Sequence, residues 1–228
     1  MAVISSAFRS RVRAIIEQPV ALLFGRLGLT PNALTVIGLG IAAVAAYFAS
    51  VQAWLIAGLL VAFGAVFDLF DGALARATGR TSRFGAFLDS TLDRAGEAVV
   101  YIGLGVGLLT LSTFGTVAAA GAMAAAFLVS YTRAKSESLG FSPGNGMAAV
   151  GLAPREVRTT ILVVGLLAAG LVPPPHPIYC LIAPCPQPLG PVWLLIGALG
   201  LIAILATITA IQRILFVYRQ SKSQEDSH

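Results

Sequence analysis

Charge is what this sequence has least of. Its 228 residues include 15 Lys and Arg and 10 Asp and Glu, so that 11% are charged, against about a quarter in a soluble domain. Apolar types fill 57% of the chain, and the mean hydropathy is +0.86. So little polar surface cannot cover a water-soluble globule, and the same deficit excludes a disordered chain. It also argues against a nucleic-acid partner, despite a pI near 9.7. Histidine and cysteine are scarce as well, with two of each. Cys180 and Cys185 fall in the proline-rich stretch 173–190 with only His176 nearby, too few ligands for a zinc centre. The pair reads either as an external disulfide or as two free thiols. No internal repeat is visible, and the length suits one domain.

What the sequence has instead is long apolar runs. Crossing ~30 Å of hydrocarbon takes about 20 residues, and six runs fit: about 33–51, 53–75, 84–111, 113–132, 157–173 and 191–217. The breaks carry turn or charge signals: Val51-Gln52, Thr78-Gly79-Arg80, Leu111-Ser112, the glycine-rich 139–153 and Pro173-Pro174-Pro175. Backbone polar groups in hydrocarbon must be satisfied within their own segment, so all six runs are expected to be helices. The expected fold is therefore an all-α integral membrane protein with six transmembrane helices.

The few cations sharpen this picture. Arg9, Arg11, Arg13 and Arg26 precede the first run, and Arg76, Arg80 and Arg83 lie between the second and third, with Arg94 just inside the third. Arg133, Lys135, Arg155 and Arg158 bracket the loop between the fourth and fifth, and Arg213, Arg219 and Lys222 close the sixth. The connections after the first, third and fifth runs hold none. All the basic residues thus fall toward one side, which the positive-inside rule makes cytoplasmic. Both termini are expected there, in a protein of the cell membrane. Residues 5–25 mix basic and apolar side chains at helical spacing and read as an interfacial amphipathic helix on an anionic leaflet. Their Arg and Glu interruptions do not fit a secretory signal peptide. The expected organisation is an N-terminal segment 1–30, a six-helix domain 31–220 and a polar tail 221–228.

The acids are more concentrated still. Four of the five aspartates, Asp68, Asp71, Asp89 and Asp93, lie within 26 residues, at the end of the second run and the start of the third. Intramembrane carboxylates are costly enough to mark function. Asp68 and Asp71 share a helix face at i,i+3, and Asp89 and Asp93 share one at i,i+4. The short connection between the runs predicts antiparallel neighbours whose acidic faces converge. Asp68 lies about 21 Å along its helix from Trp54, and Asp89 and Asp93 lie about 7 and 14 Å from Phe84. Both pairs then sit just below the cytoplasmic headgroups, within reach of a lipid headgroup. Ligation by oxygen alone selects a hard ion, Mg²⁺ or Mn²⁺. Two such ions suit phosphoryl transfer. Gly72 leaves space for a ligand near the backbone, and Arg76 offers a planar fork to phosphate.

Residues 68–93 read DLFDGALARATGRTSRFGAFLDSTLD. The stretch resembles the signature of the CDP-alcohol phosphotransferase family, D-x2-D-G-x2-A-R-x8-G-x3-D-x3-D. Asp68, Asp71, Gly72, Ala75, Arg76, Gly85, Asp89 and Asp93 fill its fixed positions. Thr30-Pro31-Asn32-Ala33-Leu34-Thr35 resembles the T-P-N-x-L-T lead-in to that family's first membrane helix, and the six-run layout matches. The resemblance implies attack of an alcohol on the β-phosphate of a CDP-linked substrate, here CDP-diacylglycerol, with release of CMP. By motif position, Asp68, Asp71 and Asp89 would bind metal, and Asp93 would be the general base with a share of the second ion. Pro31, Asn32, Ala33 and Leu34 would line the cytidine pocket, while Gly72, Ala75, Arg76 and Ser82 would meet the CDP-lipid. A homodimer is also implied.

The acceptor is read from basic residues at three helix ends. Arg133, Lys135, Arg155, Arg158 and Arg213 would form a second anion pocket, although positive-inside charge alone accounts for any one of them. Residues 130–137, SYTRAKSE, resemble the S-Y-x-[KR]-A-[KR]-x-E stretch of phosphatidylinositol-phosphate synthases and archaeal relatives, whose acceptor is inositol 1-phosphate. Residues 153–158, APREVR, depart from the R-P-E-R-like segment of that group, which keeps glycerol 3-phosphate open as the alternative. Arg94 and Glu97, at i,i+3, read either as a structural buried pair or as part of the site. Gly38, Gly40, Gly103 and Gly107 read as helix-packing positions. A cation or proton transporter is the rival class, but it would place its ions near the midplane between inverted repeats, whereas these acids group near one face.

Overall fold

The computed structural model describes residues 24–25, 28–79, 81–141, 147, 150–171 and 191–225, and their regular structure is helical throughout. The helices are α1 (Pro31–Ser50), α2 (Trp54–Ala77), α3 (Arg83–Leu109), α4 (Thr113–Ser138), α5 (Arg155–Gly170) and α6 (Pro191–Glu225). The expectations for an interfacial helix over 5–25 and for Cys180, Cys185 and His176 fall almost wholly outside the described residues.

Local chemistry explains where the helices start. Thr30 caps α1 by accepting from the Ala33 N–H at 3.2 Å, with Pro31 at the first helical position. Ser82 and Ser112 cap α3 and α4 in the same way, accepting from Gly85 (2.9 Å) and Gly115 (3.1 Å). These side-chain oxygens satisfy N–H groups that have no partner within the helix. The polar ends run further than the apolar pattern suggests. α4 continues past residue 132 to Ser138 and α6 past residue 217 to Glu225, because a helix stays closed beyond the lipid when its outer turns are good helix formers.

Four helices, α1, α2, α4 and α6, are long and apolar enough to cross a membrane. α3 is long at 27 residues, but it carries Asp89, Asp93, Arg94 and Glu97 between its start and its middle. α5 has only 16 residues, about 24 Å of helix.

The helices close into a ring. In order around it, α1 packs on α3, α3 on α4, α4 on α6, α6 on α5, α5 on α2, and α2 back on α1. The expectation that α2 and α3 are packed neighbours therefore needs correction, since α1 lies between them. The reason is steric. A Cβ on Gly103 would stand 2.3 Å from the Ala46 carbonyl oxygen, and one on Gly107 would stand 2.2 Å from that of Ala49. The missing side chains let α3 approach α1 almost to backbone contact. At the α1–α2 turn, Gln52 adopts φ 63°, held there because its Nε2 donates to Gly107 O and Thr110 Oγ1, each at 3.0 Å.

Inside the ring Leu104, Leu108, Leu166, Leu195, Leu199 and Ile202 are fully buried. Outside it Phe63, Ile102, Phe114, Val164, Leu194 and Ile204 are more than half exposed. A soluble protein does not present such an apolar girdle, whereas lipid accepts it.

The α1–α3 contact makes a direct prediction. Gly103→Ala should destabilise the detergent-solubilised chain by about 1–3 kcal/mol through overpacking. Gly105, whose Cβ would meet nothing within 4 Å, should accept alanine with no loss. Thermal denaturation of the two variants side by side checks this, and equal melting temperatures would contradict the close approach.

Candidate active site

At one end of the ring the start of α1, the end of α2 and the start of α3 come together around a cleft. α1 contributes Pro31, Asn32 and Thr35, and α2 contributes Gly72, Ala75 and Arg76. The third wall is Thr81, Ser82, Gly85 and Asp89. Most of the residues expected to meet a CDP-lipid thus line one surface. A Cβ on Gly72 would lie 3.1 Å from Arg76 Nη1, so the guanidinium folds back over the space the glycine leaves. A Cβ on Gly85 would lie 3.2 Å from Asn32 Oδ1, which puts the Asn32 amide against the first turn of α3. The 31–34 stretch divides. Leu34 is only 1% exposed and packs with Phe67, Ala73 and Leu74, while the Ala33 N–H closes the Thr30 cap. Thr35 and Thr81 are lining residues that the motif reading passed over; Thr35 was visible as the last residue of the T-P-N-x-L-T stretch.

Thr35 also lines a second cavity, deeper in the ring, with Gly38, Asp68, Asp93, Glu97, Tyr101 and Arg155. Arg155, the first residue of α5, donates through Nη2 to Asp68 Oδ2 at 2.8 Å and through Nη1 to Asp93 Oδ2 at 2.5 Å. One planar guanidinium therefore joins carboxylates from α2 and α3. A Cβ on Gly38 would stand 3.1 Å from Asp68 Oδ1. Gly38, read from sequence as a packing position, is thus the residue that makes room for the Asp68 carboxylate. Asp71 stands one turn further along α2, and its side chain lies outside what the structure describes.

Among the described residues, no three carboxylate, imidazole or thiol groups stand together as a finished cation cage. Asp68 and Asp93 are tied to Arg155, and Asp89 faces the adjoining cleft. The donor chemistry nevertheless fits a hard divalent ion. Every candidate ligand is a carboxylate, drawn from two helices around adjoining spaces that share Thr35, and oxygen-only sites favour Mg²⁺ or Mn²⁺.

The five basic residues expected to bind an acceptor are not gathered into one pocket. Arg158 is 1% exposed, with its donors turned to Glu97 and to the Ala153 carbonyl. Arg213, 3% exposed, donates to Val150 O at 3.0 Å and to Val129 O at 2.5 Å. A buried guanidinium must find such partners, and these two find them in the fold. Arg133 pairs with Glu137 at 3.0 Å on the exposed end of α4, where Lys135 also lies. Of the five, Arg155 is the one that reaches the aspartates. Arg94 and Glu97 do form a pair, at 3.1 Å, and Arg94 also donates to Ser130 Oγ at 2.7 Å.

Comparison with known proteins places the chain as a whole. The sequence pattern of the CDP-alcohol phosphatidyltransferase family matches residues 28–208, taking in α1 to α5 and half of α6. The archaetidylinositol phosphate synthase of Pyrococcus horikoshii is 39% identical over 163 residues, 69% of this chain and 81% of that one. Its namesake from Methanothermobacter thermautotrophicus is 35% identical over 216 residues, 94% of each chain. Among solved structures, the Mycobacterium tuberculosis phosphatidylinositol phosphate synthase with manganese and citrate superposes with a TM-score of 0.73 at 27% identity, covering 89% of each chain. The same enzyme with CDP-DAG bound gives 0.71 at 27% identity, over 89% of this chain and 94% of that one. With a match that runs through every helix of the ring, this chain belongs to the CDP-alcohol phosphatidyltransferase family and is a transferase.

Proposed function

We propose that the chain transfers the phosphatidyl group of CDP-diacylglycerol, or of its ether-lipid counterpart, to inositol 1-phosphate and releases CMP. The observation that carries this reading is the junction of two spaces at Thr35. One is bounded by Asn32, Gly72, Arg76 and Ser82, and the other holds the Asp68–Arg155–Asp93 bridge. A nucleotide diphosphate fits the first, with Arg76 and the Ser82 hydroxyl facing its phosphates. An acceptor carrying its own phosphate fits the second, with Arg155 as the phosphate's partner and Arg133 and Lys135 on the approach. Arg158 and Arg213 act indirectly, holding the segment that leads into α5 through the Ala153 and Val150 carbonyls. The names of the archaeal and mycobacterial relatives and the 130–137 stretch support inositol 1-phosphate; glycerol 3-phosphate is the alternative.

The reaction is an in-line displacement. The acceptor hydroxyl oxygen bonds to the β-phosphorus of the CDP-lipid, the bond from that phosphorus to the bridging oxygen breaks, and CMP departs. Asp93 takes the hydroxyl proton, a transfer typically worth 10²–10⁴-fold. Asp68, Asp71 and Asp89 would hold Mg²⁺ or Mn²⁺, in our reading two ions with Asp93 sharing the second. Such ions, when bound, neutralise charge on the transferring phosphate oxygens. The hydrocarbon-facing girdle supports a membrane setting in which α3 and α5 also span, making six. Residues 5–25 would then lie on the cytoplasmic surface of the cell membrane, with both termini and the site on that side, and two copies would pair as a homodimer.

Reconstituted in vesicles with CDP-diacylglycerol, the chain should release CMP only with Mg²⁺ or Mn²⁺ present, and fastest with inositol 1-phosphate. Preference for glycerol 3-phosphate would replace the acceptor, and no CMP under any metal or acceptor would remove the reading. Asp93→Asn should lower kcat by about 10²–10⁴-fold while CDP-lipid binding stays measurable; near-normal turnover would remove Asp93 as the base. Arg155→Gln should raise the acceptor KM about tenfold or more, since a hydrogen bond to a charged group is worth ~1.5–3 kcal/mol. The KM for CDP-lipid should change less, and equal changes in both would argue against Arg155 as the acceptor's partner.

A further inference from the structure

A carboxylate outside the four-aspartate signature holds the centre of the charged cluster. Glu97 lies one turn of α3 beyond Asp93, with a side chain only 11% exposed. Its Oε1 accepts from Arg158 Nε at 3.1 Å and Nη2 at 2.9 Å. Its Oε2 accepts from Arg158 Nη2 at 3.2 Å and from Arg94 Nη1 at 3.1 Å. Arg158 Nη1 donates to the Ala153 carbonyl at 3.0 Å, so the same guanidinium grips the residues that lead into α5. Thr209 Oγ1 accepts from the Leu152 and Ala153 N–H groups at 3.1 and 2.9 Å, which fixes that lead-in against α6.

The placement of these residues in the ring gives the contact its meaning. α3 packs on α1 and α4, and α5 packs on α6 and α2. The two helices face each other across the ring rather than side by side. Their apolar second halves share one core, but no close backbone contact between the two helices sets the gap at the level of Asp93 on α3 and Arg155 on α5. The Glu97–Arg158 pair crosses the same gap one turn deeper on both helices, since Arg158 shares a face of α5 with Arg155 at i,i+3. It acts as a strut.

We propose that Glu97 is a positioning residue. Through Arg158 it sets the distance across the ring between Asp93 and Arg155, and so fixes where a phosphorylated acceptor stands relative to the base. The inference rests on the functional reading above for the roles of Asp93 and Arg155, but not for the strut itself. The nucleotide cleft is walled by α1, α2 and the first turns of α3, whose spacing comes from the α1–α2 and α1–α3 packing. Loss of the strut should therefore affect the acceptor far more than the CDP-lipid.

Two measurements on the full chain test this. In steady-state assays, Glu97→Gln should raise the KM for inositol 1-phosphate at least tenfold while the KM for CDP-diacylglycerol stays within twofold. Arg158→Lys, which keeps the charge but loses the fork, should show the same split to a smaller degree. Glu97→Asp, which keeps the carboxylate, should fall between wild type and Glu97→Gln. Equal changes in both KM values, or a lowered melting temperature with both KM values intact, would overturn the proposal. The second measurement needs no turnover. Spin labels at the exposed positions 87 and 157, in a chain with Cys180 and Cys185 changed to serine, report the separation of α3 and α5. Glu97→Gln and Arg158→Lys should displace or broaden that distance distribution, and an unchanged distribution in both overturns the strut. A changed distance in a chain that releases no CMP would uphold the strut and count against the functional reading instead.

Discussion

Charge placed among apolar helices has to be matched where it stands, and the rest of this structure is arranged around that demand. Asp68, Asp93 and Glu97 are set against Arg94, Arg155 and Arg158, three carboxylates and three guanidiniums drawn from α2, α3 and α5. In the most buried of these pairs, Arg158 with Glu97, whose side chains are 1% and 11% exposed, removing one partner costs about 3–5 kcal/mol, because the group left behind cannot find water. Such a cluster adds little net stability compared with an apolar filling of the same shape. Its effect is to specify geometry, as each helix can be turned or shifted only by breaking several of these contacts at once.

Glycine does the complementary work away from the charges. Gly103 and Gly107 bring α3 onto the backbone of α1, and Gly170 brings α5 onto α2, where a Cβ would stand 2.3 Å from the Leu55 nitrogen. Close contacts of this kind depend on dispersion rather than on expulsion of water, which suits helices whose outer faces meet lipid. With the ring closed by small residues at its joints, its interior is left to large aliphatic side chains at one level and to the charged cluster at another. Two adjoining spaces sharing Thr35 result from this layering, one beside the start of α1 and one inside the ring.

The sequence made some of this legible and concealed the rest for identifiable reasons. Helices and their starts could be read because caps and apolar runs are local: Thr30, Ser82 and Ser112 sit beside the N–H groups they satisfy. The signature residues could be read because their spacing is set within one helix at a time. Relations between helices could not. Nothing in residues 68–93 indicates that α1 lies between α2 and α3, since that depends on Gly103 and Gly107, about three and four turns beyond the motif. Arg158 and Arg213 looked equivalent to Arg155 because each is a cation near a helix end. What separates them is the partner each one meets, two signature aspartates for Arg155, Glu97 and the Ala153 carbonyl for Arg158, and the Val129 and Val150 carbonyls for Arg213, and that is a tertiary fact. That Gly38 packs specifically against Asp68, 30 residues away, is hidden for the same reason.

Arginine at position 155 is itself informative. A lysine ammonium is a point charge that binds one carboxylate well, whereas the guanidinium presents parallel N–H groups on a rigid plane. Here Nη1 and Nη2 go to carboxylates on two different helices, a task that needs both arms of the fork. The same fork matches two oxygens of a phosphate. In the proposed reaction, an acceptor bearing a phosphate competes for a group already oriented by α2 and α3, and a neutral polyol has nothing to offer it. Discrimination between acceptors would then arise from how far Arg155 can turn without losing Asp68 and Asp93, and that freedom is governed by the segment from Ala153 to Arg158 that Glu97 and Thr209 hold in place.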